Sequence, residues 1–488
     1  MKKTNIFLIA LLAIMSLTLT VSCSSDDPVE EEIPAEVGIT SFGFYEEDNS
    51  ASIFNDYIVE GIGTSTDINI SLPSETDLSA LVARFTTTEG DVVKVGAVEQ
   101  VSGTTANDFS APLEYLVTED NTNKIYTVSV GKLASSVWSL FSTYSEDGIT
   151  EASLQINPTN SIPYIAYISD RDASADQKMN LVSYDGSTWN RTGAQDFSDF
   201  RARTVDLKFS ETGTPYVSFQ EDADVRQASI MSYQNSTWSY VGGAPYSGVK
   251  ASANTVAITS DNTIYGFYLN DVSGSDDRRS VFSKTFSGST WSDLVITGRS
   301  GIARVLKSVV VNDVVYLAVL DYGEGQAVSV YKYANGVWTT LADKMKENDE
   351  NTVYYYNISV DVDQKGNVYL AYAENNGPDT DYQLRVKKYN ATASTWSTLG
   401  DLIVTSNTRD FDLAVDKYNS AMLFYQNDTK TPVFLPFDND VNNWGTPVVF
   451  SDSDASNLKI EVAPNGVSYA SYLANDVLSL HIYDSPDN

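Results

Sequence analysis

From about residue 38 onward, apolar and polar residues alternate over runs of four to eight positions, interrupted by clusters of Asn, Asp, Gly and Pro. Alternation with period two puts one face of an extended chain against a core, so the pattern predicts strands nearly throughout and little helix. Two regimes are visible. Between Gly38 and Leu133 the predicted strands are Ile39 to Tyr45, Ile68 to Leu72, Val92 to Val95, Tyr115 to Val117 and Ile125 to Val130, spaced as in a β-sandwich. From Val137 onward the pattern repeats itself.

Each repeat opens with two strands joined by a short turn. The first such pair is Leu154 to Ile156 with Pro163 to Tyr167, the last is Leu458 to Val462 with Val467 to Tyr472, and there are seven in all. A third strand follows, then a polar turn and a tryptophan: Ser183 to Trp189, Ser232 to Trp238, Thr285 to Trp291, Lys332 to Trp338, a looser copy from Lys388 to Trp396 and a degenerate one ending at Trp444. Four antiparallel strands per repeat, seven times over, describe a β-propeller, since no single copy can bury its own apolar face. Trp138 precedes any first strand, whereas the last repeat ends at Leu480-His481-Ile482-Tyr483 without a tryptophan strand. The strand around Val137 to Phe141 is therefore expected to complete the final blade and close the ring. The expected fold is all-β: a β-sandwich over 38–133, then a seven-bladed propeller over 137–488 closed by an N-terminal outer strand.

Composition agrees with this, and charge narrows the partners. The 488 residues include 30 Tyr and 19 Phe, which favour strands, and the net charge is -34. Without a leader containing Lys2 and Lys3, 29 basic residues face 65 acidic ones, a net of -36. Such a surface lacks the basic patch that nucleic acids or anionic membranes require, so nucleic acid is excluded as a partner. Residues 1–22 read as a secretory signal, with Lys2-Lys3 ahead of the apolar run Ile6 to Met15. Cys23 is the only cysteine, which rules out intrachain disulfides and paired-cysteine metal sites. Residues 23–37 form an acidic tether with too little apolar content to fold.

Three resemblances add to this reading. Leu19-Thr20-Val21-Ser22-Cys23 resembles a bacterial lipobox, which implies lipidation of Cys23. The acidic run Ser24 to Glu32 resembles the export signal of surface lipoproteins of starch-utilisation-type Gram-negative systems, implying a place on the outer face of the outer membrane. Ser102 to Ser110, Leu113 to Val117 and Lys124 to Val130 resemble the immunoglobulin-like spacer domain common behind such anchors. A spacer of that kind holds a distal module away from the membrane.

Candidate chemistry lies in the loops. The tryptophans could be sugar platforms, but their place beyond each turn suits sealing the gap between blades. The turn at Asp185 resembles the Asp-box of sialidase-type propellers, one residue short and with its Asp only in the first copy, and is read as structural. An acid or amide follows the second strand of each repeat, at Asp170, Asp222, Asp271, Asp321, Asn375, Asp428 and Asp476. These residues either start turns or offer oxygen ligands to sugar hydroxyls or Ca²⁺. No EF-hand spacing is present, so no cofactor or metal is assigned and Ca²⁺ stays an open alternative. The loops between blades carry Phe200, Arg201, Arg203, Lys250, Arg299, Arg304, Lys307, Tyr354 to Tyr356, Arg409 and Asp410. Of these, Arg201, Arg203, Arg304, Tyr355, Arg409 and Asp410 are the candidate ligand-binding set, guanidinium groups being suited to carboxylate or sulfate and to stacking on pyranose faces. The alternative is that the arginines pair with carboxylates at blade junctions. A sialidase-like site would need three arginines, for which Arg203, Arg304 and Arg409 are available. His481 is the only histidine, which excludes His-based zinc sites and leaves it most simply a strand residue.

The expected function is a lipid-anchored outer-membrane surface protein whose propeller, as a monomer, recognises a glycan without catalysis. The alternatives are a propeller glycoside hydrolase or lyase using paired carboxylates, and a protein-interaction module of a surface complex.

Overall fold

The computed structural model describes residues 38–88, 91–119, 122–170, 177–322, 326–346, 357–375, 382–405 and 410–487. The leader, the tether with Cys23, Tyr354 to Tyr356 and Arg409 lie outside the described residues. No helix among the described residues is long and apolar enough to cross a membrane.

The N-terminal unit is a two-sheet sandwich. One sheet orders the strands Tyr57–Glu60, Ile39–Phe44, Leu81–Thr87 and Ala106–Asn107. The other orders Asp67–Leu72, Thr122–Lys132, Leu113–Glu119, Val92–Val95 and Val98–Glu99, with the first two parallel. Phe42, Phe44, Phe109, Tyr115 and Tyr126 are fully buried between them. Edge-to-face contacts of Phe42 with Tyr115 at 5.2 Å and of Phe44 with Phe109 at 4.9 Å knit the core. Leu81–Thr87 was hidden in the sequence by Arg84, which turns outward to Asp48 and Glu47 and lies 4.8 Å over the Tyr45 ring.

Seven antiparallel blades of four main strands follow, two of them carrying a short fifth strand on the third. Their innermost strands are Ile149–Ile156, Arg201–Phe209, Ala251–Ile258, Ile302–Val311, Ile358–Val362, Phe411–Val415 and Ser456–Val462, for blades 1 to 7. Each innermost strand lies beside the next, and that of blade 7 returns to that of blade 1, so the ring is closed. The outer strand of blade 7 is Val137–Ser145, paired antiparallel with the C-terminal strand Val477–Asp484. Closure therefore joins the two ends of the propeller chain, as the unmatched Trp138 predicts.

Two repeated devices hold blade to blade. The first uses indoles: Trp238, Trp291, Trp396 and Trp444 donate Nε1 to backbone carbonyls of the preceding blade or its exit loop, Thr192, Val241, Leu341 and Asp401, at 2.8–3.1 Å. In three of these seams the ring lies on a glycine, Gly193, Gly242 or Gly400, where an added Cβ would come within 2.7–2.8 Å of the indole. The tryptophans are packing elements. The second device lies three residues before the end of the innermost strands of blades 1, 2, 5 and 6. There Ser153, Asp206, Ser359 and Asp412 accept the backbone N–H of Leu207, Val256, Leu413 and Ile460 in the next blade, at 3.1–3.2 Å. Innermost strands have a free edge, and these side chains satisfy N–H groups that no strand reaches.

The turn at Asp185 satisfies itself. Its carboxylate accepts from Ser187 and Thr188, backbone and hydroxyl alike, and from Asn190, at 2.8–3.0 Å, and these bonds hold it well below the usual carboxylate range. His481 is buried between Phe450, 4.3 Å away, and Tyr472, and burial pushes it down to about 4. It is a neutral core residue, although its Nε2 finds no partner.

Candidate functional site

A propeller has two faces. The turns joining first and second strands open on one, here the hairpin face, and the loops joining second to third strands, or blade to blade, open on the other, the loop face. The sandwich sits on the hairpin face of blades 6 and 7. Phe54 meets Tyr418 edge to face at 5.2 Å and packs on Gly466, and the N–H of Ala134 bonds Asp487 at 2.8 Å. The loop face is thus turned away from the N-terminal unit.

Two regions concentrate polar chemistry. The first is the axial cavity, about 310 Å³, walled by the innermost strands of all seven blades. Asp206, Asp361, Asp412 and Glu461 share it with Lys208, Lys307 and Lys459. Burial pushes Asp361 up to about 6 and raises Glu461 well above the carboxylate range. Most of these groups are already engaged. Asp206 and Asp412 are blade staples, Asp361 accepts from Val362 and Val415 at 2.8 and 2.7 Å, Gln155 donates to Glu461, and Lys208 stands 3.9 Å from Asp206. The charge in the cavity is largely the means by which the ring is held together.

The second region runs across the loop face of blades 2 to 4. Arg203 Nε donates to Asp222 at 2.8 Å, and Arg226 approaches the same carboxylate at 3.4 Å. A bridge between Gln227 and Lys250 carries the contact to blade 3. There Lys250 and Arg278 share Asp271 at 3.1 and 3.2 Å. Burial alone would raise Asp222 and Asp271, but the paired cations outweigh it and hold both below the usual range, so both stay ionised. Next to Arg278, Arg279 passes its backbone carbonyl to the N–H of Ala303 in blade 4 and lays its guanidinium 4.8 Å over the Tyr322 ring. Arg279 has φ 66°, a left-handed conformation uncommon for a side-chain-bearing residue. Arg203 precedes a second such residue, Thr204 at φ 54°, in the bulge that shifts the strand register between Arg203 and Asp206. Phe200 and Tyr322, 48% and 39% exposed, offer ring faces to solvent on this same surface.

The sequence-predicted residues fall out as follows. Arg201 and Arg203 lie on the innermost strand of blade 2, Arg201 bonding Gln177 at 2.7 Å and Arg203 held by Asp222. Arg304 lies near the start of the innermost strand of blade 4 and is exposed. Asp410 stands apart beneath blade 7, where its carboxylate accepts the N–H groups of Asn457 and Leu458 and is raised by burial. Tyr355 and Arg409 lie outside the described residues. Of the acids after the second strands, Asp222, Asp271 and Asp321 each hold cations, Asp321 lying 2.7 Å from a buried Arg299, whereas Asp476 forms a turn with φ 61°. Sequence reasoning missed Arg226, Arg278, Arg279 and Tyr322: Arg226 opens the third strand of blade 2, Arg278 and Arg279 lie in the loop after the second strand of blade 3, and Tyr322 ends the second strand of blade 4. Among the described residues, no group of three His, Cys, Asp or Glu side chains is arranged to hold a metal ion.

Residues 49–130 match the family described as SGBP, N-terminal, the N-terminal domain of surface glycan-binding proteins. No curated protein matches the chain. Similar solved structures include the SapL1 lectin in complex with α-methyl fucoside, at 10% identity over 63% of this chain and 96% of that one, with a TM-score of 0.40. A polysaccharide lyase of the PL25 ulvan lyase family aligns at 14% identity over 71% and 95%, TM-score 0.47. AofleA from Arthrobotrys oligospora aligns at 9% identity over 66% and 91%, TM-score 0.40. At these values none of the three bears on ligand or chemistry.

Proposed function

We propose that this chain is a lipid-anchored glycan-binding protein of the outer cell surface, with the sandwich as spacer and the loop face of blades 2 to 4 as the binding surface. The observation that carries the reading is the match of residues 49–130 to the N-terminal family of surface glycan-binding proteins. The anchor is Cys23 and the ligand a polysaccharide. Docking of the sandwich on the opposite face leaves the loop face free to meet a polymer outside the cell. Tyr322 and Phe200 supply ring faces for pyranose stacking, and the carboxylates of Asp222 and Asp271, held rigid by two cations each, are fixed acceptors for sugar hydroxyls.

The protonation states support binding without cleavage. Glycoside hydrolysis needs one carboxyl held protonated beside one ionised. Both carboxylates engaged on this surface are stabilised as anions, and the raised Asp361 and Glu461 lie in the axial cavity among the blade staples. The test is a glycan array with a Cys23→Ser secreted form, followed by product analysis of each hit. Tyr322→Ala and Arg279→Ala should each weaken a retained glycan by about tenfold or more while leaving it uncleaved. Retention unaffected by both substitutions removes the assignment to this surface, silence across the array removes glycan recognition, and released oligosaccharides would make the protein an enzyme.

A further inference from the structure

A second cavity, about 150 Å³, lies where the sandwich meets the hairpin face of blades 6 and 7, on the side opposite the loop-face surface. Its walls come from both units. The sandwich contributes Phe54, Tyr57 and Glu75, and the propeller contributes Tyr418, Tyr483 and Asp484. Four aromatic rings and two carboxylates thus converge, with Asp416 behind Tyr418, and no Lys, Arg or His lines the cavity.

The electrostatic couplings place these groups near one another. The Tyr57 phenol is raised by burial and then by the charge of Asp484, and the Tyr418 phenol by burial and then by Glu75. Glu75 also acts on Tyr483. Glu75 forms no hydrogen bond or ion pair among the described residues. Asp416 spends its carboxylate on the N–H groups of Tyr418 and Ser420, at 2.9 and 2.7 Å, and burial pushes it up to about 6, so it contributes shape more than charge. One hydroxyl remains unspent: Ser74 lines the cavity with its Oγ buried and without a partner, whereas Thr76 behind it is fully buried and turned to the Tyr418 hydroxyl. An unpaired hydroxyl in a polar recess is what a ligand would satisfy.

Aromatic faces attract cations through the ring quadrupole, and the attraction grows when the site is partly dry. A carboxylate at the mouth completes the charge, and a protonated amine supplies three donors for carboxylate and hydroxyl oxygens. Neutral sugars gain from the rings but not from the charge, and anions are repelled. We infer that this cleft between sandwich and propeller binds a small molecule, or the end of a longer one, that carries a protonated amine, an amino sugar or alkylamine being the class. Occupancy would bridge the two units, so the ligand would also stiffen the joint between spacer and propeller.

The test uses the whole secreted chain with Cys23→Ser and four probes: glucosamine, ethanolamine, glucose and N-acetylglucosamine, below the amine pKa. Thermal shift and calorimetry should register glucosamine and ethanolamine and not the two neutral sugars. Glu75→Gln, an exposed and foldable change, should weaken the amines by about tenfold. Tyr483→Phe, which keeps the ring, should change affinity far less than Glu75→Gln. Equal response to neutral and amino probes, no response to either amine, or amine binding unchanged in Glu75→Gln overturns the proposal. Binding of a polysaccharide to the loop face should be unaltered in Glu75→Gln, so the two sites stand or fall separately.

Discussion

Closure of the ring depends on a polar latch between its first and last blades, and removing Arg191 tests that dependence. Arg191, on the outer strand of blade 1, donates Nη2 to Glu146 at 2.8 Å and to the Tyr144 hydroxyl at 3.0 Å. Its Nη1 donates to Asn180 at 2.6 Å and to the Tyr167 hydroxyl at 3.2 Å. Tyr144 and Glu146 belong to the N-terminal strand that completes blade 7 and the loop behind it, so Arg191 ties the seam where the two ends of the ring meet. Arg191→Met removes the one cation bonded to Glu146 and leaves its carboxylate with neutral donors, the two phenols and the Gln195 amide at 3.4 Å. Breaking a fully buried pair costs about 3–5 kcal/mol. Here the side chains are 27% and 11% exposed, and admitted water lowers the expectation to about 2–3 kcal/mol. For a propeller of about 350 residues that is about 3–4 °C in Tm. Arg203→Met, on a pair whose arginine is 42% exposed, should cost under about 1 kcal/mol and serves as the control. The assay is chemical denaturation of Arg191→Met, Glu146→Gln and the double variant, with a coupling of about 1–2 kcal/mol expected. A loss below about 0.5 kcal/mol for Arg191→Met, or a coupling of zero, would refute the latch. pH gives an independent reading. Burial raises Glu146, but Tyr167, Tyr144 and Arg191 together hold it below the ordinary carboxylate value. Its stabilisation is therefore complete above the unfolded value of about 4.3 and is lost as pH falls through the lower folded one. The gap between wild type and Glu146→Gln should close below about pH 4.

Three further outcomes are expected. Gly193→Ala sets a Cβ at φ 77° within 2.7 Å of the Trp238 indole and should cost about 1–3 kcal/mol by denaturation, with a change in tryptophan fluorescence; an unchanged midpoint would remove the seam argument. Asp361 is raised to about 6 by burial, so its ionisation opposes folding above that pH and the opposition disappears below the unfolded value of about 3.9. Wild type should gain about 1–3 kcal/mol on Asp361→Asn between pH 7 and pH 4, and a flat difference would contradict a buried carboxylate. Gly466→Val, at φ 87° and 3.2 Å from Phe54, should loosen the sandwich on the propeller, seen as faster proteolysis near residues 134–136 with the propeller itself intact; equal cleavage rates would show that the contact carries no stability.

The repeat was legible because every blade solves one packing problem in the same way. Period-two alternation located the paired strands, and the tryptophan count located the seam and the closing strand. Strands whose alternation was broken by outward charge or by brevity stayed hidden, such as Leu81–Thr87 with Arg84 and Ala106–Asn107 with only two residues. Ile403–Thr405 and Val448–Val449 were also missed: each pairs on a third strand beyond its blade's tryptophan, where no repeat marks it.

The loop-face surface was half legible, and the reason is physical. Acids after the second strands were visible as a column, but their partners differ from blade to blade: Arg203 and Arg226 on Asp222, Lys250 and Arg278 on Asp271, Arg299 on Asp321. These cations stand anywhere from four to twenty-two residues from their carboxylates and follow no periodicity, because strand register rather than sequence distance brings each pair together. The same rule explains Arg279 and Tyr322, forty-three positions apart and 4.8 Å from guanidinium to ring. In a chain of net charge -34, these pairs gather cations on three adjacent blades. The acid or amide after each second strand is common to all blades and belongs to the repeat; the cations paired with Asp222, Asp271 and Asp321 differ from blade to blade, and selection for a ligand would act on that difference.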